Sequence, residues 1–447
     1  MGDLAKSWEA SSDGTTWTFR LKDGVRFQDG QPLTSADVAF TINRMKAPPA
    51  GVKPARKDVF AAVKDVSTPD ASTVTIRLDQ PRPWLLELLA NPSSLIVPKH
   101  IVEKDQHAIE TRPMGSGPFR FKGWNRGVDY AVEKNQSYFE RGQPLLDGIQ
   151  WFIIPDVGTG KAAVRAGKVL MSNRHALTKI DVNDLKRGAP DFQVFTSGTT
   201  SRYDIIMNTK AKPFTDARVR QAVLQVLDQQ SAIDAAFDGA GFRSGIMPPG
   251  PWALPEETLR TLPPYRGPTD TDIAKAKQLL QEAGLSGNIP VVFTQGNAPN
   301  HVRMNEVAAA QMRKIGFAVT SRVVVYPTEL DPALRRGDFQ IAMYPAQSAF
   351  LDPDSWLASF VTGNVVNWSQ VSDPEIDKLY EQQSKTADYT ARKKLVDQLQ
   401  MRIWQVAPQW TMAHPQFFTV AAPAVKGYEG ALSIYDNNRF TTIWIRK

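Results

Sequence analysis

The residue types best able to do chemistry are sparse in this chain and spaced without catalytic logic. Its five histidines, His100, His107, His175, His301 and His414, stand far apart, and no His-Glu-x-x-His pair places two of them on one helix face for zinc. Gly-x-Ser-x-Gly, the strand-to-helix turn that exposes a serine nucleophile, does not occur. With no cysteine, thiolate nucleophiles, disulfides and cysteine-ligated metals are all excluded. Asp352 and Asp354 are close enough to work as an acid and base pair. They flank Pro353 at a predicted helix start, however, where capping accounts for both. A hydrolase using these carboxylates is the second functional reading, and a cofactor-free binding protein is the first.

A nucleotide site is suggested and then excluded by Asp156-Val157-Gly158-Thr159-Gly160-Lys161-Ala162-Ala163, which follows an apolar strand, Trp151 to Ile154. A phosphate-binding P-loop needs Gly five residues before Gly160 and Ser or Thr after Lys161, where the chain has Pro155 and Ala162. A dinucleotide fold needs a long helix beneath the pyrophosphate. The helix here is stopped by Gly167.

At 447 residues, 42% of them hydrophobic and 22% charged, the chain is long enough for two or more cores. No run of eighteen apolar residues is present to span a membrane. The net charge of +7 is scattered, with both signs interleaved and no basic stripe among aromatics, so nucleic acid is not an expected partner.

The elements that position these residues follow from periodicity and punctuation. Trp17 to Leu21 alternates as a strand, Val25 to Gln28 is expected to pair back on it, and Thr34 with Asp37 forms a capping box for a helix. Phe60 to Val66 and Ser72 to Leu78 read as strands, and Trp84 to Ala90 as an apolar segment between prolines. From Met114 strands dominate: Pro118 to Trp124, Asp129 to Lys134 and Ile149 to Ile154. Tyr203 to Met207 is a short buried strand, followed by a helix for which Thr215 is the expected cap. Beyond it α and β alternate: a helix capped by Asp270 or Thr271, strand Ile289 to Thr294, helix Val302 to Ile315 and strand Phe317 to Tyr326. This is a βαβ unit with parallel strands. Helix Thr328 to Arg336, strand Phe339 to Tyr344 and helices starting at Pro353, Pro374 and Tyr389 complete the series before a return at Pro408.

Three ordered segments carry a family resemblance: LAKSWEASSDGTTWTFRLKDGVRFQDGQPLTSADVAF from Leu4 to Phe40, MGSGPFRFKGW from Met114 to Trp124, and TSGTTSRYDIIMNTKAKPFTDARVRQAVLQVLDQQ from Thr196 to Gln230. In the last, a strand ending in Asn208 leads through Pro213-Phe214 to Asp216-x-Arg-Val-Arg-Gln-Ala. The chain resembles the peptide/nickel/opine family of solute-binding proteins that serve bacterial ABC importers.

That resemblance implies a two-lobed α/β periplasmic-binding-protein fold, with residues 1–112 a β-rich subdomain of lobe one, 113–201 plus 415–447 its α/β core, and 202–414 lobe two. It further implies a monomer that closes its cleft on a small solute and delivers it to a membrane permease. The expected location is periplasmic or lipid-anchored outside the cytoplasm. No export signal is legible ahead of Leu4, and part of the first lobe, including its first strand, is expected to lie outside this chain. The cleft wall of lobe two is placed on Tyr344 to Ser355, between a strand's C-terminal end and a helix. Gln347 and Ser348 offer neutral donors and acceptors there, Phe350 and Trp368 offer ring faces, and Asn367 is a neighbour. Arg202 beside the hinge and Ser116 in the Gly115-Ser116-Gly117 turn complete the expected site. In peptide-binding relatives the matching loop carries an acid that pairs with the peptide's ammonium. Ala346 to Leu351 contains none. A neutral or anionic solute is therefore expected in place of a free-amine peptide, with a peptide as the alternative if Asp352 takes the clamp's role.

Overall fold

The computed structural model describes residues 3–50, 60–173, 177–198, 201–348, 351–430 and 440–446. Phe350, one of the expected site residues, lies outside them.

The first unit is a four-stranded antiparallel sheet of β1 (Ala5–Ala10), β2 (Thr16–Leu21), β3 (Val63–Asp70) and β4 (Thr73–Leu78), in the order β1-β2-β4-β3. Phe19, Leu21, Val74, Ile76 and Leu78 alternate onto its buried face, where Ile42 of helix Ser35–Lys46 joins the same core. The Thr34–Asp37 capping box forms as expected. Val25 to Gln28 does not make a strand: it contributes one isolated bridge, Arg26 to Pro32, and β2 finds its partners in β1 and β4 instead. Trp84 to Ala90 closes this core as helix Leu85–Ala90, with Leu85 and Leu88 inward.

A three-stranded antiparallel sheet follows, β5 (Phe119–Asn125), β6 (Asp129–Lys134) and β7 (Gly148–Phe152). After it, Asp156 caps helix Val157–Arg165 by accepting from Thr159 N. The Asp156 to Ala163 segment is thus an ordinary capped helix of nine residues.

β8 (Gln193–Ser197) precedes the largest sheet, built from β9 (Ser201–Met207), β10 (Gly241–Phe242), β11 (Ile289–Gly296), β12 (Phe317–Val324), β13 (Ile341–Gln347) and β14 (Gln409–Pro415), in the order β10-β14-β9-β13-β11-β12. β11 pairs in parallel with both β12 and β13, as a βαβ crossover requires, while β13 and β14 run antiparallel to β9. Both faces are covered. Ile341 and Met343 enter the main core with Phe293, Met304 and Ile376, whereas Ala342 and Tyr344 point to a second cluster with Leu330, Leu334 and Phe339. Burial of each large side chain here contributes about 1.5–3 kcal/mol.

Helix caps in this part differ by one residue from expectation. Asp216, whose carboxylate accepts from Arg218 N, caps Ala217–Val226 in place of Thr215. Thr269, with Asp272 completing its capping box, starts Asp270–Glu282. Gly316, at φ 103°, ends the next helical segment in a conformation side chains rarely adopt. Finally β15 (Phe417–Ala421) pairs with β8, and β16 (Val425–Lys426) with β17 (Trp444–Ile445).

Candidate functional site: the edge of the large sheet and the loop after β13

The register of four strands defines the edge at which the chain enters and leaves the large sheet. β9 and β14 pair through Tyr203 and Ala413, and the next strands on the same two segments, β8 and β15, pair through Ser197 and Phe417. The two crossings therefore leave the large sheet side by side. They do so at the edge where Gln347, the last residue of β13, lies opposite Ser201. Because β11 and β12 run parallel to β13, the loops after all three strands emerge at that same edge. In an open α/β sheet this is where ligands are held.

A row of rings crosses this edge. Tyr203 lies 5.1 Å from Phe237 and 5.6 Å from His301, His301 lies 5.3 Å from Tyr326, Tyr326 6.0 Å from Tyr344, and Tyr344 4.1 Å from Trp368, all edge to face. Tyr203 also accepts from Asn300 Nδ2 at 2.8 Å, and its burial pushes the phenol up to about 12. Burial lowers His301 to about 4, so it is neutral at physiological pH. Tyr344 is raised by burial and by the charge of Asp331. The Nδ1 of His301 and the indole N–H of Trp368 are buried without a protein partner. Such orphaned groups at the end of a sheet are places for water or a solute.

The loop after β13 is anchored from below. Asp352 caps helix Pro353–Leu357 through Asp354 N at 2.9 Å, as its position before Pro353 implies. Both Asp352 oxygens are held by Arg392, each at 2.6 Å. Asp354 takes Gln383 Nε2 at 2.5 Å, the hydroxyl of Ser384, and a second contact from Arg392 at 3.1 Å. Burial, then Asp352, raises Asp354, while its hydrogen bonds oppose the shift. For Arg392 burial works against the charge, but its bonds to Asp352 outweigh it and the pKa rises. From the first unit, Glu87 reaches this loop and accepts from Asp352 N at 3.0 Å.

The expected site residues are distributed as follows. Gln347 is exposed at the sheet edge, and Ser348 beside it is buried with its hydroxyl against that of Ser355. Trp368 is half-buried on Tyr344. Arg202 must be corrected: only 2% exposed, its guanidinium is bound to Asp204 at 2.7 Å, to the Ile246 carbonyl at 3.0 Å and to Ser359 at 3.3 Å. It braces the sheet and is not free for a solute. Asn367 needs the same correction, since its amide donates to Val361 O and Val371 O and accepts from Ser369, which uses it to fold the loop. Ser116 lines a cavity of about 380 Å³ together with Gln28, Met114, Phe119, Tyr130 and Phe139, and every residue lining that cavity precedes residue 140. It is not brought together with Gln347. Sequence reasoning missed Glu87 and Arg392. An acid inside the apolar run Trp84 to Ala90 was the available signal for Glu87. Nothing local in the sequence pairs Arg392 with a carboxylate forty positions away.

Residues 1–368 match the family model described as bacterial extracellular solute-binding proteins, family 5. The chain belongs to this family. Among curated family relatives, it is 27% identical over 441 residues to the glutathione-binding protein GsiB of Pectobacterium atrosepticum, covering 95% of this chain and 82% of that protein. It is also 27% identical over 467 residues to heme-binding protein A of Haemophilus influenzae, covering 97% and 82%. Among solved structures, the binding protein AgaA of A. tumefaciens R10 in complex with agropinic acid matches with a TM-score of 0.79 at 25% identity, over 99% of this chain and 89% of that one. The substrate-binding protein CtaP of Listeria monocytogenes matches with a TM-score of 0.85 at 23% identity, over 99% and 90%. The architecture is the α/β periplasmic-binding-protein fold. The relatives are solute-binding proteins, and family 5 members work outside the cytoplasm in ABC import. Among the described residues, no helix is long and apolar enough to cross a membrane and no cluster of acids and histidines could hold a metal ion.

Proposed function

We propose that this family 5 protein is the extracytoplasmic binding component of an ABC importer for a small neutral or anionic solute, which it holds between two lobes and hands unaltered to a permease. In this reading residues 113–201 with 415–447 form the core of lobe one, residues 1–112 its subdomain, and 202–414 lobe two. The observation that carries it is the paired crossing. Two chain segments that leave the large sheet side by side, at the edge where its strand-end loops gather, make a hinge with the solute site beside it.

Gln347 supplies a neutral hydrogen-bonding head at that edge and Trp368 a ring face, with Ser348 beside Gln347 and Phe350 two positions further along the sequence. The preference against free-amine peptides rests on the loop's lack of a free acid. Ala346 to Leu351 has none, and Asp352, the next carboxylate, is spent on Arg392 and on the helix cap. An ammonium buried there unpaired costs several kcal/mol, most of the about 8 kcal/mol of a micromolar complex.

The test is calorimetric titration with a panel of anionic and neutral metabolites beside a mixture of di- to pentapeptides, followed by mass spectrometry of each mixture. Tight binding of a panel member, recovered chemically unchanged, supports the reading. Turnover of any member, or micromolar binding confined to free-amine peptides, overturns it.

A further inference from the structure

Glu87 belongs to the first unit but bonds to the far side of the cleft. Helix Leu85–Ala90 is fastened by Leu85 and Leu88, both with no exposed surface, so the backbone that projects Glu87 is fixed. Its partner is equally fixed. The Asp352 N–H at 3.0 Å belongs to a residue gripped by Arg392 and capping Pro353–Leu357, and the neighbouring Leu351 N–H also bonds the Glu87 carboxylate. Beside it Arg82, held by Asp79 at 3.0 Å, reaches Ser384 Oγ at 3.5 Å. Two rigid elements thus meet through the Glu87 carboxylate, with the Arg82 contact beside it. Parting of the two units would break that contact.

We propose that Glu87 is the latch of the cleft: a positioning residue that holds the Leu351–Asp352 backbone from the opposite lobe and so sets the balance between open and closed protein. This rests on the solute-binding reading above for what closure accomplishes. Leu351 and Asp352 stand three and four positions after Ser348 in the sequence, so the latch lies close along the chain to the residues proposed to seat the solute.

The charge on Glu87 works against the latch while its lone pairs make it. Burial, then the negative charge of Asp352, raises its pKa, and the N–H groups of Asp352 and Leu351 and the more distant Arg392 oppose that shift. Asp354 and Tyr380 also belong to the facing element, and Arg82 sits on its own side. A raised pKa in the closed form means that closure binds protons, so the latch tightens as pH falls from neutral toward the carboxylate range.

The chain has no cysteine, which makes labelling clean. Lys104→Cys and Lys378→Cys, both exposed and on opposite units, carry spin labels, and their distance distribution is read in solute-free protein at about pH 7.5 and about pH 5. In the parent, the short distance is expected to gain population at the lower pH. Glu87→Ala is expected to raise the open-to-closed ratio about thirtyfold, the size of two lost hydrogen bonds. Glu87→Gln, which keeps an acceptor oxygen and loses the charge, is expected to stay closed and to lose the pH dependence. An Ala variant with the parent's distribution, or a Gln variant as open as the Ala variant, overturns the latch. Because no solute is present, that outcome leaves the solute-binding reading to its own calorimetric test.

Discussion

Arg392 grips both carboxylate oxygens of Asp352, at 2.6 Å each, with 4% and 5% of the two side chains exposed. The pair fixes the start of the helix that follows the loop after β13, and it occupies the carboxylate of Asp352, the first acid in the sequence beyond Ala346 to Leu351.

Breaking that pair from one side leaves a buried charge uncompensated. Asp352→Asn and Arg392→Met should each lower unfolding stability by about 3–5 kcal/mol in urea titrations. Replacing Asp352, Asp354 and Arg392 together with apolar residues should recover part of the loss, because the desolvation penalty disappears only when Asp354, which Arg392 also holds, goes with the pair. A single substitution costing under about 1 kcal/mol would show that the pair does not brace the loop.

Acid lability between about pH 6.5 and 4 should come from histidine. Burial holds both His301 and His414 near about 4 in the folded chain, while the unfolded chain titrates near 6.5. A depressed histidine pKa favours the neutral folded form, so its contribution is complete above about pH 6.5 and is lost as pH falls through the window. His301→Phe keeps the aromatic contacts to Tyr203 and Tyr326 and should flatten the fall by about 2–3 kcal/mol. An unchanged pH slope in that variant would contradict the burial argument.

A second window lies lower. Asp272 is opposed by desolvation but is bonded by Arg266 at 2.8 Å on both oxygens and by the Thr269 cap, which brings it to about 2. A depressed carboxylate stabilises above its ordinary pKa and loses that contribution as pH falls from about 4 toward 2. Asp272→Asn should cost on the order of 2 kcal/mol at neutral pH and close to nothing at about pH 2, read by denaturant midpoints at the two pH values. Equal costs at both would contradict it.

Much of the architecture was legible because local signals agreed with the tertiary answer. The Thr34–Asp37 capping box, the strand Asp129–Lys134 and the parallel pairing of β11 with β12 were all readable from spacing and punctuation. Ala5–Ala10 was not: almost fully exposed along its length, it has no buried face to impose alternation and is a strand only because β2 is beside it. The site was less legible than the fold. Arg202 and Asp204 stand two apart on one strand, so period two places them on the same face, and that spacing already held the 2.7 Å ion pair that withdraws Arg202 from the cleft. Asn367 carried no such signal, because its partners are main-chain carbonyls that only the folded loop gathers. Glu87 and Asp352 are 265 positions apart, beyond any periodicity.

The central claim is that this cleft holds a small neutral or anionic solute without relying on an ammonium clamp. Native mass spectrometry of the chain purified without denaturation, with the retained molecule identified after release, tests it most directly. The account predicts one neutral or anionic small molecule at one copy per chain, with occupancy reduced by Gln347→Ala. A free-amine peptide retained at one copy per chain would contradict it.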